Sequence, residues 1–294
     1  EAAVEGGLEE AVAAARQADV VLLAIGEPQN FSGEAQSRTQ IVVPAAQQAL
    51  AEAVAAAGKP VVVLLKTGRA LALTGAVRNA EAILVTWFLG SQTGPAVADV
   101  LFGDYSPSGR LPVSFPQDAG QQPFFYNHPR TGRPQREGQP RDFKARYREV
   151  GNEALYPFGH GLGYTRFEYG TPTLSTSRLP WGQAVTVSAT VRNVGERAAE
   201  EVVQLYVHDR VASRVRPVRE LKGFRKVLIQ AGASLDVAFE LEPDALAFHG
   251  ADGKRVIEPG MFDVWVSPSS SAGQPVSFEL LAGPQQGASP ASRL

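Results

Sequence analysis

The residues best placed for chemistry form one polar loop, which runs from Gly26 to Arg38. The loop holds two carboxylates, Glu27 and Glu34, together with one guanidinium and two glycines that let the backbone fold tightly. A carboxyl group in such a loop can act as a general acid where a partly apolar setting raises its pKa. A surface loop with either glutamate paired to Arg38 has the same spacing, so the residues alone leave both interpretations open.

Two further groups of residues follow the next apolar runs. Lys66, Thr67 and Arg69 come directly after one run, where they could shape the rim of a site. A structural turn fixed by the glycine between them accounts for the same residues and is favoured. Trp87 ends the next run and could pack on a sugar ring, although packing inside the protein is the commoner fate of a strand aromatic. Lys66, Trp87 and Arg38 are the predicted substrate-binding or site-shaping residues.

Several other kinds of site are excluded. The chain has no cysteine, and its four histidines lack metal-ligand spacing, so we expect no metal site and no cofactor. Ser32 has no accompanying His/Asp set for a serine nucleophile. The glycines of residues 103–109 lack the Lys-Ser/Thr ending of a phosphate loop. A net charge of −2 without a basic stripe argues against nucleic acid. The apolar runs fall short of the roughly 20 residues of a membrane helix, so no membrane contact is expected.

The elements that must position the loop alternate between helix and strand over residues 1–116. We predict helices over 11–17, 42–57 and 95–102, and strands over 19–25, 61–65, 82–87 and 111–115. The run at 19–25 is continuously apolar, which predicts a strand buried on both faces. This alternation indicates a mostly parallel sheet with flanking helices, an α/β sandwich.

The rest of the chain has a different character. Residues 117–165 are rich in Pro, Gly and Arg with interspersed aromatics, and we expect an ordered crossover or linker. Over 166–282, short alternating strands such as 185–191, separated by turns such as 193–196, predict an all-β sandwich of fibronectin type III or immunoglobulin kind. Residues 283–294 are small and polar, and we expect a flexible tail.

Long motifs in the same order resemble glycoside hydrolase family 3, and most of all its periplasmic bacterial β-glucosidases. Besides the loop, they are KTGRALAL at 66–73, TWFLG at 86–90, ADVLFGDYSPSGRLP at 98–112 and LYPFGHGLGYT at 155–165. Members of the family join a (β/α)₈-type barrel with an aspartate nucleophile, an α/β sandwich domain with an acid/base glutamate, and a fibronectin type III-like domain. This chain resembles the second and third parts only, with residues 1–116 matching the C-terminal part of the second.

The resemblance implies that Glu34 is the general acid/base. Glu27 is the alternate, because the loop varies in length across the family. The implied activity is that of a retaining exo-acting β-glucosidase, which removes terminal non-reducing β-D-glucosyl residues from β-glucosides or cello-oligosaccharides. β-Xylosidases are near neighbours. The aspartate nucleophile would come from the barrel, so we expect this chain to be inactive without it.

The chain opens at Glu1 in a helical pattern, and we expect it to be part of a larger gene product. The expected partner is the barrel portion, from the same gene product or a separate chain, and a homodimer is compatible with the sequence. The resemblance implies a periplasmic or secreted location. The alternative function is a non-catalytic module that binds carbohydrate or protein, or that only stabilises a barrel.

Overall fold

A computed structural model of the chain describes residues 6–134, 138 and 143–283. These residues form two compact units, each assembled from separate stretches of sequence. The first takes the described residues of Glu1–Asp104, Ser114–Phe124 and Tyr147–Tyr156, and the second those of Tyr105–Val113, Phe125–Arg146 and Pro157–Leu294. Except for Gly283, the predicted tail lies outside the described residues, as do 135–137 and 139–142 of the predicted crossover.

The first unit contains a small parallel sheet and short helices. Its helices are α1 (Gly7–Gln17), α2 (Ala45–Ala55), α3 (Gly75–Arg78) and α4 (Thr93–Leu101). Its strands are β1 (Val21–Gly26), β2 (Val61–Lys66) and β3 (Ala82–Val85), which pair in the order β1-β2-β3. The predicted parallel sheet with helices is therefore confirmed. The one-turn helix α3 was not predicted, because four residues are too few to show a helical period.

The two faces of this sheet differ in burial. Leu23, Val63 and Leu65 point to one face and are buried, with α2 packed against β1. On the other face Leu22 is 52% exposed, and Ala24 beside it is exposed as well. The prediction that the first strand is buried on both faces is therefore wrong. The helix α4 contains no fully buried residue.

The predicted strand over 111–115 is also wrong. Phe115 forms only an isolated bridge with Tyr156, to whose carbonyl its N–H donates at 2.8 Å. Pro112 and Pro116 have no N–H to contribute to a ladder, which limits pairing on this stretch. The two ends of this stretch also belong to different units. Phe115 lies in the first unit, whereas Leu111 lies in the second, where its N–H donates to the His160 carbonyl.

The second unit is all-β, as predicted. Its strands are β4 (Phe167–Tyr169), β5 (Thr173–Leu174), β6 (Arg178–Leu179), β7 (Val185–Asn193), β8 (Ala199–Asp209), β9 (Glu220–Ile229), β10 (Ser234–Leu241), β11 (Phe248–His249), β12 (Arg255–Val256), β13 (Gly260–Ser267) and β14 (Val276–Leu280). One sheet has the order β10-β7-β4, with β5 also paired to β7, and the other has the order β6-β14-β13-β8-β9. Strands β11 and β12 form a separate hairpin.

One apolar core joins the two larger sheets of this unit. Val187 and Val191 alternate with exposed residues along β7 and pack with Leu205 of β8 and Phe262 of β13. The predicted turn at 193–196 is confirmed, because the buried Asn193 side chain accepts the N–H of Gly195 at 3.1 Å. Two layers of alternating strands around one core form the predicted β-sandwich. Among the described helices, none has the length and apolar character that crossing a membrane requires.

Candidate functional site

The loop after β1 begins pressed against the end of β2. Gly26 has a φ of 142°, and a side chain at this position would collide with the backbone carbonyl of Lys66. Its N–H donates to Gln47 Oε1 at 2.7 Å, and the N–H of Glu27 donates to the Lys66 carbonyl at 2.8 Å. Only glycine tolerates this close approach. The loop therefore leaves the sheet at its carboxyl edge, where parallel sheets bind ligands.

Glu27 is the buried centre of a charged cluster. Its Oε1 accepts from Arg38 Nη1 at 2.7 Å, while its Oε2 accepts from Arg69 Nε at 3.1 Å and from Thr67 Oγ1 at 3.2 Å. The carboxylate has no solvent exposure, whereas both guanidinium groups reach solvent in part. Two cations and a hydroxyl offset the cost of burying this charge. Glu27 thus joins the ends of β1 and β2.

Arg69 also binds the backbone of the loop. Its Nη2 donates to the carbonyl of Phe31 and, at 3.0 Å, to the carbonyl of Gln36. Thr67 fixes the backbone of Arg69, because its Oγ1 accepts the Arg69 N–H at 3.2 Å and shares its one proton between Glu27 Oε2 and the Arg69 carbonyl, which lies 2.8 Å away. The Thr67 side chain therefore stabilises the turn after β2, and the arginine of this turn also holds the loop.

Glu34 lies at the tip of the same loop and is exposed. It stands between two residues with left-handed backbone, Gly33 at φ 123° and Ala35 at φ 57°. The left-handed conformation costs a residue with a Cβ roughly 1–2 kcal/mol, so surrounding contacts must maintain it at Ala35. Within the described part of the chain, no cationic side chain forms an ion pair with Glu34. Its carboxylate is therefore open to a ligand.

The other predicted site residues have different surroundings. Arg38 turns inward to Glu27, and its guanidinium lies over the Phe31 ring at 4.7 Å from the centroid. The Lys66 side chain is exposed at the end of β2. Trp87 is half-buried with a φ of 50°, and its ring centroid lies 6.2 Å from that of Phe115. Arg38 therefore belongs to the charged cluster around Glu27, whereas the Lys66 side chain lies outside that cluster.

Strand order explains why these residues meet. Because β1, β2 and β3 are parallel neighbours, Glu27, Thr67 and Trp87 all follow carboxyl ends on one edge of the sheet. The arrangement combines an exposed carboxylate, available for proton transfer, with a buried charged anchor beneath it. Among the described residues, no cluster of three His, Asp or Glu side chains could hold a metal ion.

Comparison with known proteins identifies the family. Residues 2–164 match the family model described as the glycosyl hydrolase family 3 C-terminal domain, and residues 201–270 match that of a fibronectin type III-like domain. The chain belongs to glycosyl hydrolase family 3. The predicted fold, an α/β part followed by a fibronectin type III-like sandwich, is confirmed for this family member.

Relatives in the family carry glycosidase names. The periplasmic beta-glucosidase of Salmonella typhimurium is 46% identical over 274 residues, which cover 93% of this chain and 36% of that protein. A beta-xylosidase of Formosa agariphila is 40% identical over 266 residues, which cover 90% of this chain and 36% of that protein. The solved beta-glucosidase of Listeria innocua in complex with isofagomine superposes with a TM-score of 0.90 at 40% identity.

The chain matches only part of the length of these relatives. The match to the Listeria innocua enzyme covers 95% of this chain but 39% of that chain. The chain therefore spans between 36% and 39% of the length of the relatives described above.

Proposed function

We propose that the chain is the C-terminal portion of a retaining, exo-acting β-glucosidase and that Glu34 is its general acid/base. The nucleophile would be an aspartate of a (β/α)₈-type barrel that this chain does not contain. Relatives named β-glucosidases support the substrate class, a β-glucoside or cello-oligosaccharide with a terminal non-reducing glucosyl residue. By the same reasoning, the location is periplasmic or secreted, because the Salmonella relative is named a periplasmic enzyme.

One observation carries the choice of residue. Glu34 presents its carboxylate to solvent at the tip of the loop, whereas Glu27 is enclosed by two arginines and a threonine. An acid/base group must exchange a proton with substrate and then with water, so it needs access to both. Exposure therefore supports Glu34, and Glu27 becomes the brace of the loop.

The proposed reaction is a double displacement. The barrel aspartate attacks the anomeric carbon while Glu34 donates a proton to the departing glycosidic oxygen. Glu34 then removes a proton from the water that attacks the glycosyl-aspartate ester and releases the sugar with its original anomeric configuration. This chemistry needs the two carboxyl groups about 5–5.5 Å apart. The chain alone would therefore not turn over substrate.

The remaining site residues have supporting roles in this proposal. Arg38 shapes the site through Glu27, and Trp87 offers a half-buried ring at the same edge of the sheet. Lys66 is exposed at that edge and could contact a sugar hydroxyl. The domain limits 1–116, 117–165 and 166–282 and the tail 283–294 also remain part of the proposal, as does the possibility of a homodimer.

The test uses this chain joined to the barrel portion and an aryl β-glucoside with a good leaving group. We expect Glu34→Ala to lower kcat about 100-fold or more, since general acid/base groups contribute roughly 10²–10⁴-fold. Azide should restore part of kcat, because this anion can attack the glycosyl-aspartate ester in place of water, releasing the aspartate and forming a glucosyl azide without a base. A parallel assay with the aryl β-xyloside separates the glucosidase from the xylosidase assignment.

Two results would overturn the proposal. Full activity in Glu34→Ala would remove the residue from catalysis and favour a binding or structural role for the loop. A Glu27→Ala variant that is folded, inactive and rescued by azide would move the acid/base role to Glu27. The unfolding midpoint of each variant, measured by urea denaturation, distinguishes lost chemistry from lost structure.

A further inference from the structure

We propose that Arg69 is a positioning residue for the general acid: it fixes Glu34 by bridging the backbone on both sides of it. The inference rests on the proposed function of Glu34. It adds a separate role for Arg69, which can be tested independently of the role of Glu34. Arg69 would not touch the substrate. It would hold the loop in the shape that places the Glu34 carboxyl at the glycosidic oxygen.

The bridge is made by a single nitrogen atom. Arg69 Nη2 donates to the Phe31 carbonyl before Glu34 and to the Gln36 carbonyl after it, the latter at 3.0 Å. These two carbonyls bound the segment 32–35, which carries Glu34 between two left-handed residues. The two ends of the segment are thereby tied to one point. The conformation of the segment then depends on the position of Arg69 Nη2.

The Arg69 side chain and backbone are themselves fixed by hydrogen bonds to Glu27 and Thr67. Arg69 Nε donates to the buried Glu27 Oε2 at 3.1 Å, and Thr67 Oγ1 fixes the Arg69 backbone. Glu27 in turn begins the loop, with its N–H bonded to the Lys66 carbonyl at 2.8 Å. Arg69 thus connects the end of β2, the start of the loop and both ends of its tip.

The geometry requires arginine rather than any cation. A guanidinium is a rigid planar fork, so Nε can bind the carboxylate while Nη2 points away to the carbonyls. The lysine ammonium is one compact charge on a flexible stem and cannot occupy both positions. Arg69→Lys therefore keeps a positive charge near Glu27 and removes the bridge.

Displacement of an acid has a recognisable kinetic signature. Proton donation accelerates departure of a poor leaving group, such as phenol, far more than departure of dinitrophenol, which leaves as an anion. A general loss of structure would lower both rates equally. The ratio of kcat/KM for phenyl and dinitrophenyl β-glucosides therefore reports the acid step, because kcat/KM covers only the step that releases the aglycone in such an enzyme.

The experiment compares variants of the chain joined to the barrel portion. We expect Arg69→Lys to lower kcat/KM about 100-fold for phenyl β-glucoside and less than about 3-fold for the dinitrophenyl substrate. Arg38→Lys is the matched comparator, because Arg38 binds the same Glu27 carboxylate through Nη1 without the two loop carbonyls. It should lower both rates by the same factor. Arg78→Lys, an exposed position on α3, should leave both rates unchanged.

The outcomes separate this proposal from the one it rests on. Equal losses on both substrates in folded Arg69→Lys, together with the unequal pattern in Glu34→Ala, would overturn the role of Arg69 alone. Equal losses in Glu34→Ala would overturn the proposed function itself. If Arg69→Lys does not fold, the variant Gly68→Ala replaces it in the comparison of the two substrates. A Cβ at position 68 would displace the side chain of Ser32, the first residue of the segment 32–35. The unequal pattern in Gly68→Ala supports positioning by this turn, and equal losses contradict it.

Discussion

Glu27 and Glu34 belong to one loop, yet their surroundings differ. The Glu27 carboxylate is fully enclosed and shared by Arg38 and Arg69, whereas Glu34 is exposed at the tip. Removing one member of a buried ionic cluster leaves the others uncompensated. The fold should therefore depend on Glu27, whereas the proposed proton transfer depends on Glu34.

At this scale we predict that Glu27→Gln destabilises the first unit by about 3 kcal/mol, because two arginines are left around a neutral amide. Glu34→Gln is the matched control from the same loop and should leave the urea unfolding midpoint unchanged. Urea denaturation of the whole chain, followed by circular dichroism, measures both. Equal midpoints for the two variants would show that the Glu27 cluster does not support the fold.

The family resemblance already favours Glu34 over Glu27 as the acid/base, but the sequence does not indicate that Glu27 is buried. Burial of Glu27 depends on Arg69, which lies 42 residues further along the chain. Apart from Glu27, the partners of Arg69 in the loop are the backbone carbonyls of Phe31 and Gln36, and these carry no residue-type signal. A local motif therefore indicates where the polar residues are, while the strand order determines which of them become buried.

At the scale of single elements, β1 shows that a hydrophobic pattern predicts a strand but not the burial of both its faces. An unbroken apolar run predicts a strand with two covered faces, and the strand itself is present. Its coverage depends on other elements: α2 packs against β1, and Leu23 is buried while Leu22 is not. Adjacent leucines of one strand consequently differ in exposure, 52% for Leu22 and 6% for Leu23.

This difference predicts unequal effects of the same substitution. Leu23→Ala should cost roughly 2–5 kcal/mol, because it leaves a cavity between β1 and its helix layer. Leu22→Ala in the chain alone should cost less than about 1 kcal/mol, since its side chain loses little packing. Urea midpoints of the two variants provide the measurement. A similar large cost for Leu22→Ala would mean that this face is covered in solution, for example by a second copy.

The remaining errors at this scale have local causes. The run 111–115 has the composition of a strand, but Pro112 and Pro116 remove two donors, and Phe115 forms an isolated bridge with Tyr156 instead of a ladder. The predicted third strand of residues 82–87 ends earlier, at Val85, because Trp87 adopts a left-handed φ of 50°. Neither feature has a hydrophobic period that a sequence pattern could reveal.

Considered as a whole, the molecule depends on ion pairs between distant stretches of sequence. In the second unit, Arg110 of the stretch Tyr105–Val113 pairs with Glu201 of β8, and Tyr169 donates to the same carboxylate at 2.6 Å. Glu201 is 1% exposed. Burial raises the pKa of Glu201 above its ordinary value of 4.5, and Arg110 acts in the opposite direction.

We predict that Arg110→Met destabilises the chain by about 3–5 kcal/mol at neutral pH, because Glu201 then stays buried without a cation. A raised folded-state pKa means that the folded protein binds more protons than the unfolded chain at mildly acidic pH. Stability attributable to Glu201 therefore rises as pH falls toward 4.5 and is lost as pH rises through the raised pKa. The gap between variant and wild type should narrow on acidification.

Urea titrations at several pH values provide the measurement, with Arg178→Met as control. Arg178 forms an exposed pair with Glu279 at 3.4 Å, so its loss should change stability little at any pH. The double variant Arg110→Met/Glu201→Gln should recover part of the loss, because no buried charge remains. A gap that stays constant from neutral to acidic pH would exclude Glu201 as its source.

The interleaving of the two units has a practical consequence for anyone who cuts the chain. A single nick between residues 125 and 146 yields two peptides, and each contributes strands or loops to both units. The halves should therefore elute together from a sizing column and separate only in denaturant. Expressing the sandwich from residue 166 onward would discard Arg110, the cationic partner of Glu201, so the ends of a recombinant fragment should follow the spatial units rather than linear order.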